Sequence, residues 1–114
     1  MRQETLTIED LTAANGQRIL RLNGPLVLSN FFDLQTMLRE DNSASLVLDL
    51  SNVPYIDSAG IGALVCAYVH RQKNSRTLVL GRVPERIRTA LKITKVDQFF
   101  VFSDEVPPAQ AATA

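Results

Sequence analysis

The sequence predicts a single α/β domain: a mixed sheet of four to five strands with helices packed mainly on one face. Three observations predict it. Two segments of alternating apolar and polar residues flank a turn signal near the N-terminus, two short apolar runs follow, and stretches with apolar residues at helical spacing lie before, between and after those runs. Strand, helix, strand, helix in that order calls for parallel pairing through right-handed crossovers. A chain of 114 residues is long enough for one core of this kind.

In "ETLTIEDL" Leu6 and Ile8 alternate with polar residues, and after the turn signal "ANG" the stretch "QRILRLNG" places Ile19 and Leu22 with a flanking Leu20, which reads as a hairpin. "GPLVL" leads to Ser29, a good N-cap, and Phe31, Leu34 and Leu38 then share one face of a first helix that runs to about residue 40. "SASLVLDLS" is too short for a stable helix and too continuous for a half-exposed strand. It is expected to be a central strand covered on both faces. From Ser58 the residues Ile61, Leu64, Val65 and Tyr68 recur at i, i+3, i+4 and i+7, a helix through about residue 73. "RTLVLG" is a further buried strand, and "PERIRTALK" opens a helix on Pro84 with Ile87, Ala90 and Leu91 inward. "DQFFVFSD" supplies a short strand. The domain is expected to span residues 1–105, and residues 106–114, with Pro107, Pro108 and an alanine-rich end, to form a flexible tail. Leu48, Leu50, Ile61, Leu64, Val65, Val79, Leu80 and Leu91 are the expected core.

Twelve basic and twelve acidic residues cancel, yet residues 71–95 hold eight basic residues against the lone acid Glu85. These cations fall on a helix end, a loop, a strand and a second helix without aromatic interleaving, so they read as solvated faces, with no direct nucleic-acid contact. The single cysteine, Cys66, cannot form an internal disulfide, and no apolar run is long enough for membrane insertion. The expected location is cytoplasmic.

Asp57 and Ser58 are the most reactive-looking pair, in "NVPYIDSAGIGALVCAYVHRQ". Catalysis by Ser58 lacks a base: the only histidine, His70, lies twelve residues along the same helix, roughly 18 Å away at about 1.5 Å per residue. Ile56 stands where a nucleophile elbow has glycine, and Val65 where a dinucleotide loop needs a small residue. Gly60 and Gly62 therefore read as sites of close helix packing. Cys66 and His70 stand at i and i+4 with no second ligand pair, so they read as a core cysteine and a surface histidine. No enzyme, cofactor or metal is expected. What stands out is a hydroxyl at a loop-to-helix junction, where backbone N–H groups and the helix dipole favour an added phosphate and Asp57 opposes it. The plainer possibility at the same junction is that Asp57 or Ser58 caps the helix.

"LVLDLSNVPYIDSAGIGAL" closely resembles the signature of the STAS domain, shared by anti-sigma factor antagonists and the cytoplasmic part of sulfate transporters, in which a strand ends in a loop carrying an Asp-Ser-[Ser/Ala]-Gly helix start. The leading hairpin, "LNGPLVLS", "RTLVLG" and "ITKVDQFFVFSDE" fall in the same order, so the resemblance covers nearly the whole chain.

For the antagonist branch the resemblance implies a regulatory module whose serine, here Ser58, is phosphorylated by an anti-sigma factor with serine kinase activity. Only the unphosphorylated form binds that kinase. It also implies a docking surface of Asp57, Ser58, Ala59, Gly60 and Ile61, completed by Ser29 and Asn30 from the loop before the first helix. Antagonists commonly carry an acid just after Gly-x-Leu, where this chain has Val27, and "GPL" followed by apolar residues looks more like the transporter branch. The alternative is thus a soluble accessory subunit of a membrane transporter, for a lipid or an anion, that works without phosphorylation. Lys95 is a second departure, at a position after the third helix where the family often has glycine.

Overall fold

A computed structural model describes residues 5–111. Strands β1 (Thr7–Ala13) and β2 (Arg18–Asn23) form the expected antiparallel hairpin, with Leu11 opposite Ile19. Gly16 takes a φ of 87° in the connecting turn, a conformation that costs glycine little. Helix α1 (Phe31–Glu40), strand β3 (Ser45–Asn52), helix α2 (Ser58–Lys73), strand β4 (Thr77–Gly81), helix α3 (Glu85–Ile93) and strand β5 (Val101–Ser103) follow, and strand β6 (Ala109–Ala111) closes the described chain. The sheet order is β5-β4-β3-β2-β1-β6.

From β2 to β5 each strand pairs in parallel with the next, so the chain steps across the sheet in one direction. Right-handed crossovers that never reverse direction put every helix on the same face. They also leave no switch point, the place where open α/β sheets form a ligand crevice. Leu46, Leu48 and Leu50 of β3 meet Leu34, Leu64 and Leu91 of the helices in the main core.

The sheet has six strands where four or five were expected, because the segment expected as a tail from residue 106 is partly built into the fold. Val106 is buried against Gly81 and Val47 on the helix-free face, and β6 pairs with β1 through Leu11 and Ala111. Residues 107 and 108 lack amide N–H donors, and "AQA" is too short and too weakly apolar to signal a strand, yet it pairs with β1 and Ala109 packs against the cluster on the helix-free face. Residues 112–114 lie outside the described residues.

The expected core is fully buried at Leu48, Leu50, Leu64, Leu80 and Leu91, whereas Ile61, Val65 and Val79 are half-buried. Val79 points to the helix-free face, where only the C-terminal segment covers the sheet.

The end of the sheet away from Ser58 is tied by ions. Arg71 at the end of α2 is buried, a correction to its reading as a solvated charge. It donates to Asp41 at 2.5 Å, to the Ser43 carbonyl at 2.7 Å and to the Thr77 carbonyl at 2.8 Å. Arg18 reaches the other Asp41 oxygen at 2.6 Å. Burial pushes the Asp41 carboxyl up, but hydrogen bonds from Ser43 and Arg18 outweigh it and hold the group below the usual carboxylate range. Burial also pulls the Arg71 pKa down, against the attraction of Asp41.

Candidate functional site

The β2–β3 ladder does not stop at the strand ends. Gly24 N–H donates to the Asn52 carbonyl at 3.1 Å, Leu26 N–H to the Tyr55 carbonyl at 3.2 Å, and Asp57 N–H to the Leu26 carbonyl at 3.3 Å, with Leu26 and Ile56 forming a parallel bridge. The loop before α1 is thereby zipped to the loop before α2. Asp57 finishes the seam: one carboxylate oxygen accepts from Gly60 N–H at 2.9 Å, capping α2, and the other accepts from Leu28 N–H at 3.0 Å. Of the two capping residues the sequence allows, Asp57 is the cap.

That division of labour leaves the Ser58 hydroxyl free of the capping task. Ser58 is the first residue of α2 and is exposed. By helix geometry the amides of residues 58 and 59 have no intrahelical acceptor, so the junction combines an exposed hydroxyl, unsatisfied donors and the positive end of the helix dipole.

Gly60 is buried, and a Cβ there would run into the Leu26 carbonyl oxygen and the Ile56 side chain. Its place is under the surface, where the missing side chain lets the two loops close. At Gly62 a Cβ would meet nothing within 4 Å. Close helix packing thus accounts for the first glycine and not the second. Ala59 and Ile61 are half-exposed beside Ser58.

Ser29 is exposed in the turn before α1 and is not the N-cap; Asn30 holds that position, with no capping bond from its side chain. The Asn30 amide turns back into the loop instead. It accepts from Val27 N–H at 3.1 Å and donates to the Pro25 carbonyl at 2.9 Å. The structure therefore brings Ser29, Asn30, Asp57, Ser58, Ala59 and Ile61 to one end of the molecule, with Asn30 and Asp57 shaping the surface.

Sequence reasoning missed the apolar part of this surface. Leu28, Phe32 and Tyr55 are 64%, 60% and 37% exposed, and Leu28 and Tyr55 line a shallow depression with Val27, Ser29 and Asp57. Phe32 carried a signal, since it falls beside the Phe31, Leu34 and Leu38 face rather than on it. Val27 is largely buried at the edge of this depression. Cys66, expected in the core, is exposed, and with His70 it lines a cleft between α1 and α2. It lies beside the buried position 67, just off the packed face.

The STAS domain family model matches residues 9–109. The chain belongs to the STAS domain family. Its fold is shared by solved structures, among them an anti-sigma factor antagonist from Mycobacterium paratuberculosis, with a TM-score of 0.74 at 20% identity over 90% of this chain and 88% of that one. A putative anti-sigma factor antagonist from Thermotoga maritima gives 0.74 at 17% identity over 87% of each chain. A sulfate transporter family protein from Wolinella succinogenes gives 0.66 at 23% identity over 79% and 78%. The STAS match extends to residue 109, into the segment that carries Val106 and β6. No helix among the described residues is long and apolar enough to cross a membrane.

Proposed function

We propose that this STAS domain is an anti-sigma factor antagonist: a regulatory binding module that docks on an anti-sigma factor with serine kinase activity and is switched off by phosphorylation of Ser58. The observation that carries this reading is the separation of roles at the start of α2. Asp57 alone supplies the cap and the loop clamp, which leaves the neighbouring hydroxyl exposed and dispensable for the fold.

A phosphate on Ser58 would add about −1.5 to −2 charge beside the Asp57 carboxylate. The free domain tolerates it, because the group sits in water at a helix N-terminus. A bound partner would have to bury that charge among the apolar contacts of Leu28, Phe32 and Tyr55, and affinity falls for that reason. Incubation of the domain with the kinase and ATP is expected to give one phosphopeptide, spanning Ser58. Phosphate on Ser29, Ser51 or Ser103 instead contradicts the assignment.

A second reading has support in Val27, which offers no charge at a position where antagonists commonly place an acid. In that reading the same surface seats the domain on a membrane transporter for a lipid or an anion, without phosphorylation. Identification of the bound partner by affinity capture and mass spectrometry separates the two: an anti-sigma factor kinase supports the first, a transporter component the second.

A further inference from the structure

Within the basic stretch at residues 71–95, Arg82 just after β4 and Arg86 in the first turn of α3 lie toward the Ser58 end, whereas the cations at the ends of α2 and α3 lie away from it. Arg71 is buried, Arg76 donates to the Asp41 carbonyl, and Arg88 lies over the Phe102 ring at 4.5 Å. Lys73, Lys92 and Lys95 are exposed and make no ion pair among the described residues. They stand at or just beyond the last turns of α2 and α3. Since the helices run against the parallel strands, this is the end of the molecule away from Ser58.

Exposed apolar side chains share that end: Val69, Ile93 and Phe99 are 46%, 74% and 44% exposed. Phe99 stacks on Tyr68, the neighbour of Val69 in α2, at 5.7 Å between ring centres, and Lys95 N–H donates to the Lys92 carbonyl at 3.0 Å. The Tyr68–Phe99 contact joins α2 to the short 3₁₀ turn at Asp97–Phe99 beyond the end of α3, and Lys92 shares a shallow pocket with the acids Glu85 and Asp97, so the three lysines outnumber but do not exclude negative charge here. Lys95 takes a φ of 62°, in the left-handed region that disfavours any residue with a Cβ. Glycine would turn the chain there without strain. A lysine at this position keeps a strained backbone and adds a cation two residues after the exposed Ile93.

We propose that this end of the domain is a docking surface for an anionic lipid bilayer, with Lys73, Lys92 and Lys95 among the headgroups and Ile93 and Phe99 entering the interface. Lysine ammonium groups on flexible stems suit a diffuse layer of negative charge better than a single carboxylate held in fixed geometry. Ile93 protrudes, which suits insertion between headgroups rather than reception of a protein side chain. A patch of this size gives weak, reversible contact, and the bound domain keeps Ser58 turned away from the membrane.

Sedimentation of the full chain with vesicles tests this. Binding to phosphatidylcholine vesicles containing about one third phosphatidylglycerol is expected to exceed binding to pure phosphatidylcholine at least about tenfold, and to collapse as salt rises from about 0.1 to about 0.5 M. Ile93→Ser and the double variant Lys92→Ser/Lys95→Ser are each expected to cut binding at least about fivefold with an unchanged circular dichroism spectrum. Lys95→Gly is expected to weaken binding while raising the melting temperature, a combination that a purely structural lysine would not give. Equal binding to neutral and anionic vesicles, or none to either, overturns the proposal. So does binding to soluble polyglutamate together with an Ile93→Ser variant that sediments like the wild type, a result that assigns the patch to an acidic protein partner.

Discussion

Asp57 holds Leu28 in place across 29 residues of sequence, its carboxylate accepting the Leu28 amide at 3.0 Å while the other oxygen caps α2 at Gly60. One side chain therefore fixes both halves of the candidate docking surface. Hydrogen bonds to a charged acceptor contribute about 1.5–3 kcal/mol each. Asp57→Ala is expected to destabilise the domain by about 2–4 kcal/mol in urea unfolding, and Asp57→Asn by roughly half as much. Faster hydrogen exchange at the Leu28 amide is the local sign of the lost clamp.

The two α2 glycines should respond oppositely to alanine. Alanine normally favours a helix over glycine by about 1 kcal/mol. At Gly62, where a Cβ meets open space, Gly62→Ala is expected to stabilise by about 0.5–1 kcal/mol. At Gly60 the added methyl group meets the Leu26 backbone, which cannot swing aside as a side chain could. Gly60→Ala is expected to cost about 1–3 kcal/mol despite the better helix former. Thermal melts of the two variants side by side decide this.

Leu64 is fully buried at the centre of the α2 face, so Leu64→Ala is expected to destabilise by about 2–5 kcal/mol. A shift under about 0.5 kcal/mol in chemical denaturation would show that the helix presents a different face to the sheet.

Asp41 and Asp49 make the fold sensitive to acid. Asp49, buried in β3, accepts from Ser51 N–H at 3.0 Å and Arg21 at 3.1 Å; burial pushes its carboxyl up, but those bonds and the field of Arg82 hold it below the usual range. A carboxyl with a folded-state pKa below its unfolded value stabilises the fold fully above about pH 4, and that contribution disappears as pH falls through the folded value. Stability is therefore expected to drop steeply below about pH 4, and Asp41→Asn to flatten that drop. Asp41→Ala, which strands the Arg71 charge, is expected to cost about 3–5 kcal/mol at neutral pH.

Much of the fold was legible because its signals are local. Leu46, Val47 and Leu48 mark β3 by continuity, and Leu64 marks the packed side of α2 by spacing. The half-burial of Ile61 and Val65 was not legible, since spacing marks one side of a helix but not how completely neighbouring elements cover it. Strand β6 left no trace either, because "AQA" is too short and too weakly apolar for a pattern to mark it, even though Ala109 packs on the helix-free face. At the site, the Asp-Ser pair was visible while its division of labour was not. Spacing alone allows either residue to cap α2, and the second role of Asp57, accepting the Leu28 amide, joins positions far apart in the sequence. The exposure of Leu28 and Tyr55 is likewise a result of the zipped seam, and no periodicity announces it, whereas helical spacing already set Phe32 off the packed face.

The regulatory reading rests on charge at Ser58, and the structure separates charge from capping. Because Asp57 makes the capping bond, Ser58→Ala is expected to keep wild-type stability within about 0.5 kcal/mol. Calorimetric titration of Ser58→Asp and Ser58→Ala against the partner anti-sigma factor is the most direct test. Ser58→Asp is expected to bind roughly tenfold to a thousandfold more weakly than the wild type, and Ser58→Ala nearly as tightly. Wild-type affinity for Ser58→Asp, with Ser58→Ala the impaired variant, would contradict a phosphorylation switch at this residue.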